Sequence, residues 1–469
     1  MENTLYKKHK FIILAVFIAF AAFSAANAET PEAQSDKIAG NEEAAALENL
    51  LLLAEQKNPL LRAAEERIKH ADSALSEAVG RMGPSVVAGA GALWNKDDPF
   101  LPVMSPLTGL IGYVPLGFRN TYAAAISFSQ TLYAGGSLTS SRDAAKLALA
   151  ATVAEALRTY QSVNNSVRAA YFNLRRAEEK ERVAEEAAEL AGEHLKRAET
   201  LFAAGVVAKN DVLRSRVAVA DAELALIRAR NAIELAVTSI ERATGTAITY
   251  HNLKQGEERA ENKLSEPLGG LEKAYFSRAE LRMYSLLSRQ AEKIARAEQG
   301  QLLPQIILKG SLSNTDSEFF PNKNEEWRIS LVMYWTLFDS GQAAARTKQA
   351  RARAAELLYN LEDMKNTIKM EVTQAELNLK SAKSRLSVAE RQVAESEEDY
   401  RIAVKRYEAL VGTNLDMLDA RLALTSSRTE LADAIYDIEI AKADLIYAMG
   451  EDLPRGHLAG DMERAKIYE

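Results

Sequence analysis

Hydrophobic residues recur along this chain with two different periods. Val372, Leu379, Leu386, Val393, Tyr400 and Tyr407 fall every seventh residue. Ala375, Ala382, Ala389 and Ala403 fill the positions between, with Ser396 the exception. Leu424, Leu431, Ile438 and Leu445 repeat the beat, and so do Val219, Leu226, Ile233 and Ile240. A strict seven-residue repeat keeps one seam against a partner helix only in a left-handed supercoil, and alanine in the seam permits close antiparallel packing. No Pro or Gly interrupts the chain between Ser137 and Gly192 or between Gly341 and Gly412. The pattern therefore predicts helices of about 65 residues, roughly 100 Å long. They fold back near Gly205 and Gly412 as coiled-coil hairpins over 138–250 and 341–450.

Elsewhere the period is two. Trp327, Ile329, Leu331, Met333 and Trp335 alternate with Arg328, Ser330, Val332 and Tyr334. Ile306, Leu308 and Leu312 alternate with Lys309, Ser311 and Ser313; Tyr122, Ala124, Ile126 and Phe128 alternate with Ala125, Ser127 and Ser129. A weaker run of Val, Ala and Gly leads to Trp94. Strands are expected at about 85–94, 121–133, 304–314 and 326–337. Each has the length of a tilted strand crossing a bilayer. The chain's three tryptophans, Trp94, Trp327 and Trp335, stand at strand ends, joined by Tyr122, Tyr133 and Phe338. An apolar face bounded by aromatic ends predicts a transmembrane β-barrel with aromatic girdles; a soluble sheet with aromatics in its core is the other reading.

The elements come twice. Gln130-Thr131-Leu132-Tyr133-Ala134-Gly135-Gly136 aligns with Trp335-Thr336-Leu337-Phe338-Asp339-Ser340-Gly341 at an offset of 205, as Asp211-Val212-Leu213 does with Asp416-Met417-Leu418. Upstream, Pro59 and Pro84 align with Ala279 and Pro304 at 220. The difference is an insertion in the first copy, expected as a long proline-bearing surface loop over 95–120. The expected organisation is a first repeat over 29–250, a linker over 251–270, a second repeat over 271–450 and a tail over 451–469. Residues 1–28 read as a secretory signal: Lys7, Lys8 and Lys10, an apolar run from Phe11 to Phe23, then Ala26-Asn27-Ala28. No later stretch is apolar long enough for a transmembrane helix.

Four strands cannot close a barrel, and unpaired backbone cannot face lipid. Two copies would supply eight strands and three would supply twelve; the residue pattern leaves both open.

The charge is mildly acidic, with Lys+Arg 58 against Asp+Glu 65, and speaks against nucleic-acid binding. There is no cysteine, so thiol chemistry and lipid attachment at an N-terminal Cys are not expected. The five histidines (His9, His70, His194, His251, His457) show no metal-ligand spacing and read as solvated. No catalytic residue, cofactor or metal site is expected, and the chain is not read as an enzyme.

The tandem repeat, Leu337-Phe338-Asp339-Ser340-Gly341 at the strand-to-helix junction, and Arg406-Tyr407 leading to Leu415-Asp416-Met417-Leu418-Asp419-Ala420 resemble the TolC-type outer-membrane efflux family over the whole mature length. The resemblance implies an α+β membrane protein. Three copies would complete a 12-stranded barrel in a Gram-negative outer membrane, continued by an α-helical barrel through the periplasm. It implies a passive exit duct partnered by a periplasmic adaptor and an inner-membrane pump of the RND, ABC or MFS type, in efflux or type I secretion. It places Asp416 and Asp419 in a ring of carboxylates at the periplasmic gate. It makes Tyr407 a link between inner and outer hairpins, and Gly205, Val206, Leu410, Val411 and Gly412 adaptor-contacting tips. The chain departs from the family pattern at Leu410, where Gly is usual, and at Gly412, where an arginine can help lock the closed state. The competing reading is an exported coiled-coil structural or adaptor protein without a pore.

Overall fold

The computed structural model describes residues 47–104, 111–115, 117–250, 264–265, 270–319, 324–454 and 457–467. The expected signal and most of the expected linker lie outside these residues. The first repeat contains α1 (Leu47–Lys57), α2 (Pro59–Gly80), β1 (Ser85–Trp94), β2 (Phe100–Met104), β3 (Ile111–Pro115), β4 (Asn120–Ala134), α3 (Ser137–Ala203) and α4 (Lys209–Thr244). The second contains α5 (Leu271–Ser277), α6 (Ala279–Gly300), β5 (Gln305–Asp316), β6 (Glu325–Tyr334), α7 (Gln342–Glu408) and α8 (Asn414–Met449). Helix α9 (His457–Lys466) follows, in the segment expected as a plain tail.

The two long helices have 67 residues each and their return helices 36 each. Every one of these ends superposes at the offset of 205, and α2 and α6, 22 residues each, superpose at 220. The heptad positions are where the hairpins close. Val372, Ala375, Leu379 and Ala382 of α7 are buried in one cluster with Ala441 and Leu445 of α8, and Ala389 and Leu424 are buried as well. No helix among the described residues is long and apolar enough to cross a membrane.

β1, β4, β5 and β6 form one antiparallel sheet in that order. Its register lines up one apolar face across all four strands. Ala88 pairs with Ile126, Ile126 with Leu312, and Leu312 with Trp327. The opposite face aligns Ser127, Ser311 and Arg328, and beside them Ser129, Lys309 and Ser330. A bulge between Thr131 and Tyr133 shifts the register near the helices. The insertion, expected as a surface loop, carries regular structure of its own. Its described residues include β2 and β3, paired from Phe100↔Pro115 to Met104↔Ile111. Among the described residues the strands thus form a four-stranded sheet and a separate two-stranded hairpin. At the base of the excursion, the Asn95 amide donates to the Arg119 carbonyl (2.8 Å) and prolongs the β1–β4 ladder.

The waist of the molecule is held by links that the duplication repeats with different side chains. Asn58 caps α2 through the Leu60 amide (2.7 Å) and donates from Nδ2 to the Ala243 carbonyl at the end of α4 (2.7 Å). At the matching place before α6, Arg278 donates to the Ala448 carbonyl at the end of α8 (2.9 Å). Arg278 is buried and also pairs with Glu280 (2.9 Å) and Glu371 (2.6 Å); Arg158 meets the same Glu280 (2.6 Å) and lies over the Tyr447 ring. Gly245 and Gly450 end the return helices at φ 78° and 69°, backbone that glycine adopts without strain.

Candidate functional site

Two regions carry the residues that the sequence singles out: the ends of the sheet and the helical tips.

At the far end of the sheet Trp94 meets Tyr122 edge to face (6.2 Å), and Tyr122 meets Phe319 (5.4 Å). Trp327 stands there too, in line with Leu312. At the helical end stand Tyr133, Trp335 and Phe338. The Trp335 indole donates to the Leu302 carbonyl (3.2 Å). Trp327 and Trp335 are eight residues apart on one strand face, about 26 Å at the rise of a β-strand. Between them Ile329, Leu331 and Met333 are all more than 60 % exposed. A single chain therefore presents an apolar band about as tall as a membrane's hydrocarbon layer, bounded by aromatic rings. Both edge strands, β1 and β6, offer unpaired backbone.

The motif Leu337-Phe338-Asp339-Ser340-Gly341 turns the chain from β6 into α7. The Asp339 carboxylate accepts from the amides of Gly341 (2.9 Å) and Ala343 (2.7 Å), meeting the free N–H groups of the first helical turn. Ser340 and Gly341 have φ 57° and 82°, matching Gly135 and Gly136 at 60° and 78° in the first copy.

The tips are two five-residue turns. Gly205 takes φ 75° and Leu410, its counterpart, takes φ 59°. The left-handed region costs an L-residue about 1–2 kcal/mol, so the departure at Leu410 carries a strain that the first copy lacks. Leu410 and Val411 are exposed, as is Val206. At Gly412 a Cβ atom would come 2.9 Å from the Arg406 Cβ, so no larger residue fits this turn without movement. An arginine there would require a different tip.

Tyr407 is buried at the foot of the second tip, with its hydroxyl unpaired. Its ring meets the His194 ring on α3, in the hairpin of the first repeat, edge to face (5.2 Å). His194 Nε2 donates to Asn414 Oδ1 (2.6 Å), and Asn414 Nδ2 donates to the Asp211 carbonyl (3.1 Å). The chain α7–α3–α8–α4 is thus stitched across both hairpins. Arg197 pairs with Glu408 beside it. Farther up, Arg428 pairs with Glu186 (2.8 Å), Lys180 with Asp433 (2.8 Å) and Arg176 with Asp437 (3.0 Å). His194 is not the solvated residue expected. It takes a place in the small-residue seam Ala187, Ala191, His194, Ala198, all buried, and that spacing of four, three and four was its signal in the sequence. Burial pushes its pKa below 6.5, against the hydrogen bond to Asn414. Burial and the Asp211 carboxylate push the Tyr407 phenol up.

Asp416 and Asp419 are exposed on one face of α8. Asp416 completes a capping box: its amide donates to the Thr413 hydroxyl (3.1 Å), and its carboxylate accepts from the Thr413 amide (3.2 Å). Those hydrogen bonds, with Arg406 nearby, hold its carboxyl below the usual range. Among the described residues, no group of His, Asp and Glu is arranged to hold a metal ion.

The outer membrane efflux protein family matches the chain twice, over 50–246 and 271–451, one match for each repeat. Among curated relatives, the outer membrane protein TolC of Escherichia coli is 24 % identical over 269 residues, covering 53 % of each chain. The alkaline protease secretion protein AprF of Pseudomonas aeruginosa is 26 % identical over 256 residues, with the same coverage. The chain spans about half the length of the curated relatives it matches. The Campylobacter jejuni CmeC outer membrane channel superposes with a TM-score of 0.76 at 18 % identity, over 94 % of this chain and 98 % of that one. The open-state MtrE outer membrane channel of Neisseria gonorrhoeae gives 0.71 at 19 %, over 90 % and 98 %. Two family matches laid over two structural repeats account for most of the described chain: it belongs to the outer membrane efflux protein family, a channel family rather than an enzyme family.

Proposed function

We propose that three copies of this chain assemble into the outer-membrane exit duct of a tripartite efflux or type I secretion system. The observation that carries this is the sheet: one apolar face in register over four strands, aromatic ends about 26 Å apart, and two open edges. Such a sheet is stable in lipid only when other copies complete it. Three copies make 12 strands, enough to leave a lumen. Helices of 67 residues, roughly 100 Å long, carry that lumen away from the membrane. Transport is passive, and the driving energy belongs to an inner-membrane pump coupled through an adaptor at the tips. Val206, Leu410 and Val411 supply exposed apolar side chains for that contact. Asp416 and Asp419 of three chains would line the mouth. Native mass measurement on detergent-extracted protein should give three copies. The same material should form ion-conducting pores in planar bilayers. A monomer that keeps its strands, or a trimer without conductance, would sink the proposal and favour an exported coiled-coil protein.

A further inference from the structure

The sheet has a second face, and at one depth that face carries an unpaired charge. Opposite the apolar band, the register lays Ser85, Ser129, Lys309 and Ser330 along one row. The next row on this face, toward the far end of the sheet, holds Val87, Ser127, Ser311 and Arg328. Side chains alternate between faces along a strand. Of the carboxylates in the four strands, Asp316 and Glu325 therefore stand on the apolar side, and Glu326 alone shares the face of Lys309. Glu326 is already engaged, by Arg328 at 2.8 Å.

Lys309 makes no ion pair among the described residues. Its ammonium donates to the Tyr334 hydroxyl (3.3 Å) and lies 5.3 Å from the centroid of that ring. Both contacts position the amine, and neither neutralises it. A lysine is a donor with no acceptor, and a serine hydroxyl can turn its proton toward whatever stands in front of it.

We propose that this row is an anion-binding collar inside the duct, selective for multiply charged oxyanions. The collar rests on the trimer reading above, which turns this face to the lumen. Three-fold symmetry then sets three Lys309 ammonium groups at one height, each between serines of its own chain. Charge-assisted hydrogen bonds from ammonium to oxyanion are the strong kind. Rings of Lys or Arg favour anions in a pore, and low-dielectric walls focus their field. Lys309 lies four residues into β5 from the helical end, about 13 Å along the strand. The collar therefore stands at the foot of the barrel, where the lumen passes into the helices.

The collar is in series with the mouth formed by Asp416 and Asp419, whose sign is opposite. An anion arriving from outside reaches Lys309 without meeting those carboxylates. One arriving from the periplasm meets them first. Block by an anion is therefore sided.

Inorganic tripolyphosphate is the probe, applied to the trimer in planar bilayers. From the outer side it should block the current, and more strongly than from the periplasmic side. Lys309→Gln should weaken the outer-side block about 10- to 100-fold, the loss of one hydrogen bond to a charged group, and Lys309→Arg should retain it. Asp416→Asn with Asp419→Asn should strengthen the block from the periplasmic side. Should Lys309→Gln fail to assemble, Lys309→Met, closer in length, takes its place. Native mass on each variant separates the two levels. A conducting trimer that tripolyphosphate does not block, or blocks equally with and without Lys309, overturns the collar and leaves the duct standing. A chain that neither trimerises nor conducts overturns both.

Discussion

The tip contact built around His194 makes a quantitative test. His194→Ala removes the Nε2 donor from Asn414 Oδ1, in a site where Asn414 is 4 % exposed. Leaving that buried acceptor unpaired costs about 1–3 kcal/mol. The Tyr407 ring loses its edge contact as well, worth about 0.5–1.5 kcal/mol. Together these weaken the link between the hairpins by about 1.5–4.5 kcal/mol per chain, roughly 10- to 2,000-fold in the opening equilibrium. Amide hydrogen exchange over 195–204 and 405–415 should accelerate by that factor, while α2 and α6 at the waist stay protected. Pore conductance should rise in the same variant. His194→Gln retains a side-chain N–H donor and should recover most of the protection. Wild-type rates at the tips in His194→Ala would refute the account, because a contact that closes the hairpins cannot be removed without loosening them.

The same residue sets a pH dependence. The folded pKa lies below 6.5 because burial disfavours the imidazolium. The unfolded or opened tip therefore binds the proton more readily than the closed one, and stability rises with pH across the window between the two values. The tip contact is complete above about 6.5, weakens as pH falls through that window, and reaches its floor below the folded value. His194→Gln should flatten this part of the profile.

Leu410→Gly should relieve left-handed strain of about 1–2 kcal/mol, offset by roughly 0.5–1 kcal/mol of added unfolded-state entropy; slower exchange at the second tip would show it, and faster exchange would contradict the strain. Arg278→Met should destabilise the waist by about 1–3 kcal/mol, since it leaves the buried Ala448 carbonyl unpaired, while Glu280 keeps Arg158 as its partner; chemical denaturation monitored by helical signal measures it. Asp416→Asn with Asp419→Asn should lower the cation preference of the pore and its block by trivalent cations; unchanged selectivity would leave Asp416 as a helix cap alone.

The long helices and the sheet were legible because each is held by a periodic constraint. A seam of seven and an alternation of two are visible over dozens of residues and ten residues respectively. The hairpin of β2 and β3 was not, because its strands are five residues each and contain Pro102 and Pro115, too short for a period and marked by the residue that most often signals a loop. His194 was missed for the opposite reason: one polar residue in an alanine seam leaves the period intact, and only the partner across the hairpin shows what it does. Asp416 was legible as a carboxylate near the tip, and its capping of α8 is a local fact that the sequence Thr413-Asn414-Leu415-Asp416 already contains.

The least legible links are the ones that repeat. Asn58 and Arg278 do the same work on the carbonyls of Ala243 and Ala448, yet share neither size nor charge. Gly135 and Ser340, and Gly205 and Leu410, share a left-handed backbone and no side-chain chemistry. The duplication has therefore kept backbone paths rather than residue types. A comparison of side chains finds little at these positions, whereas a comparison of places finds a repeat.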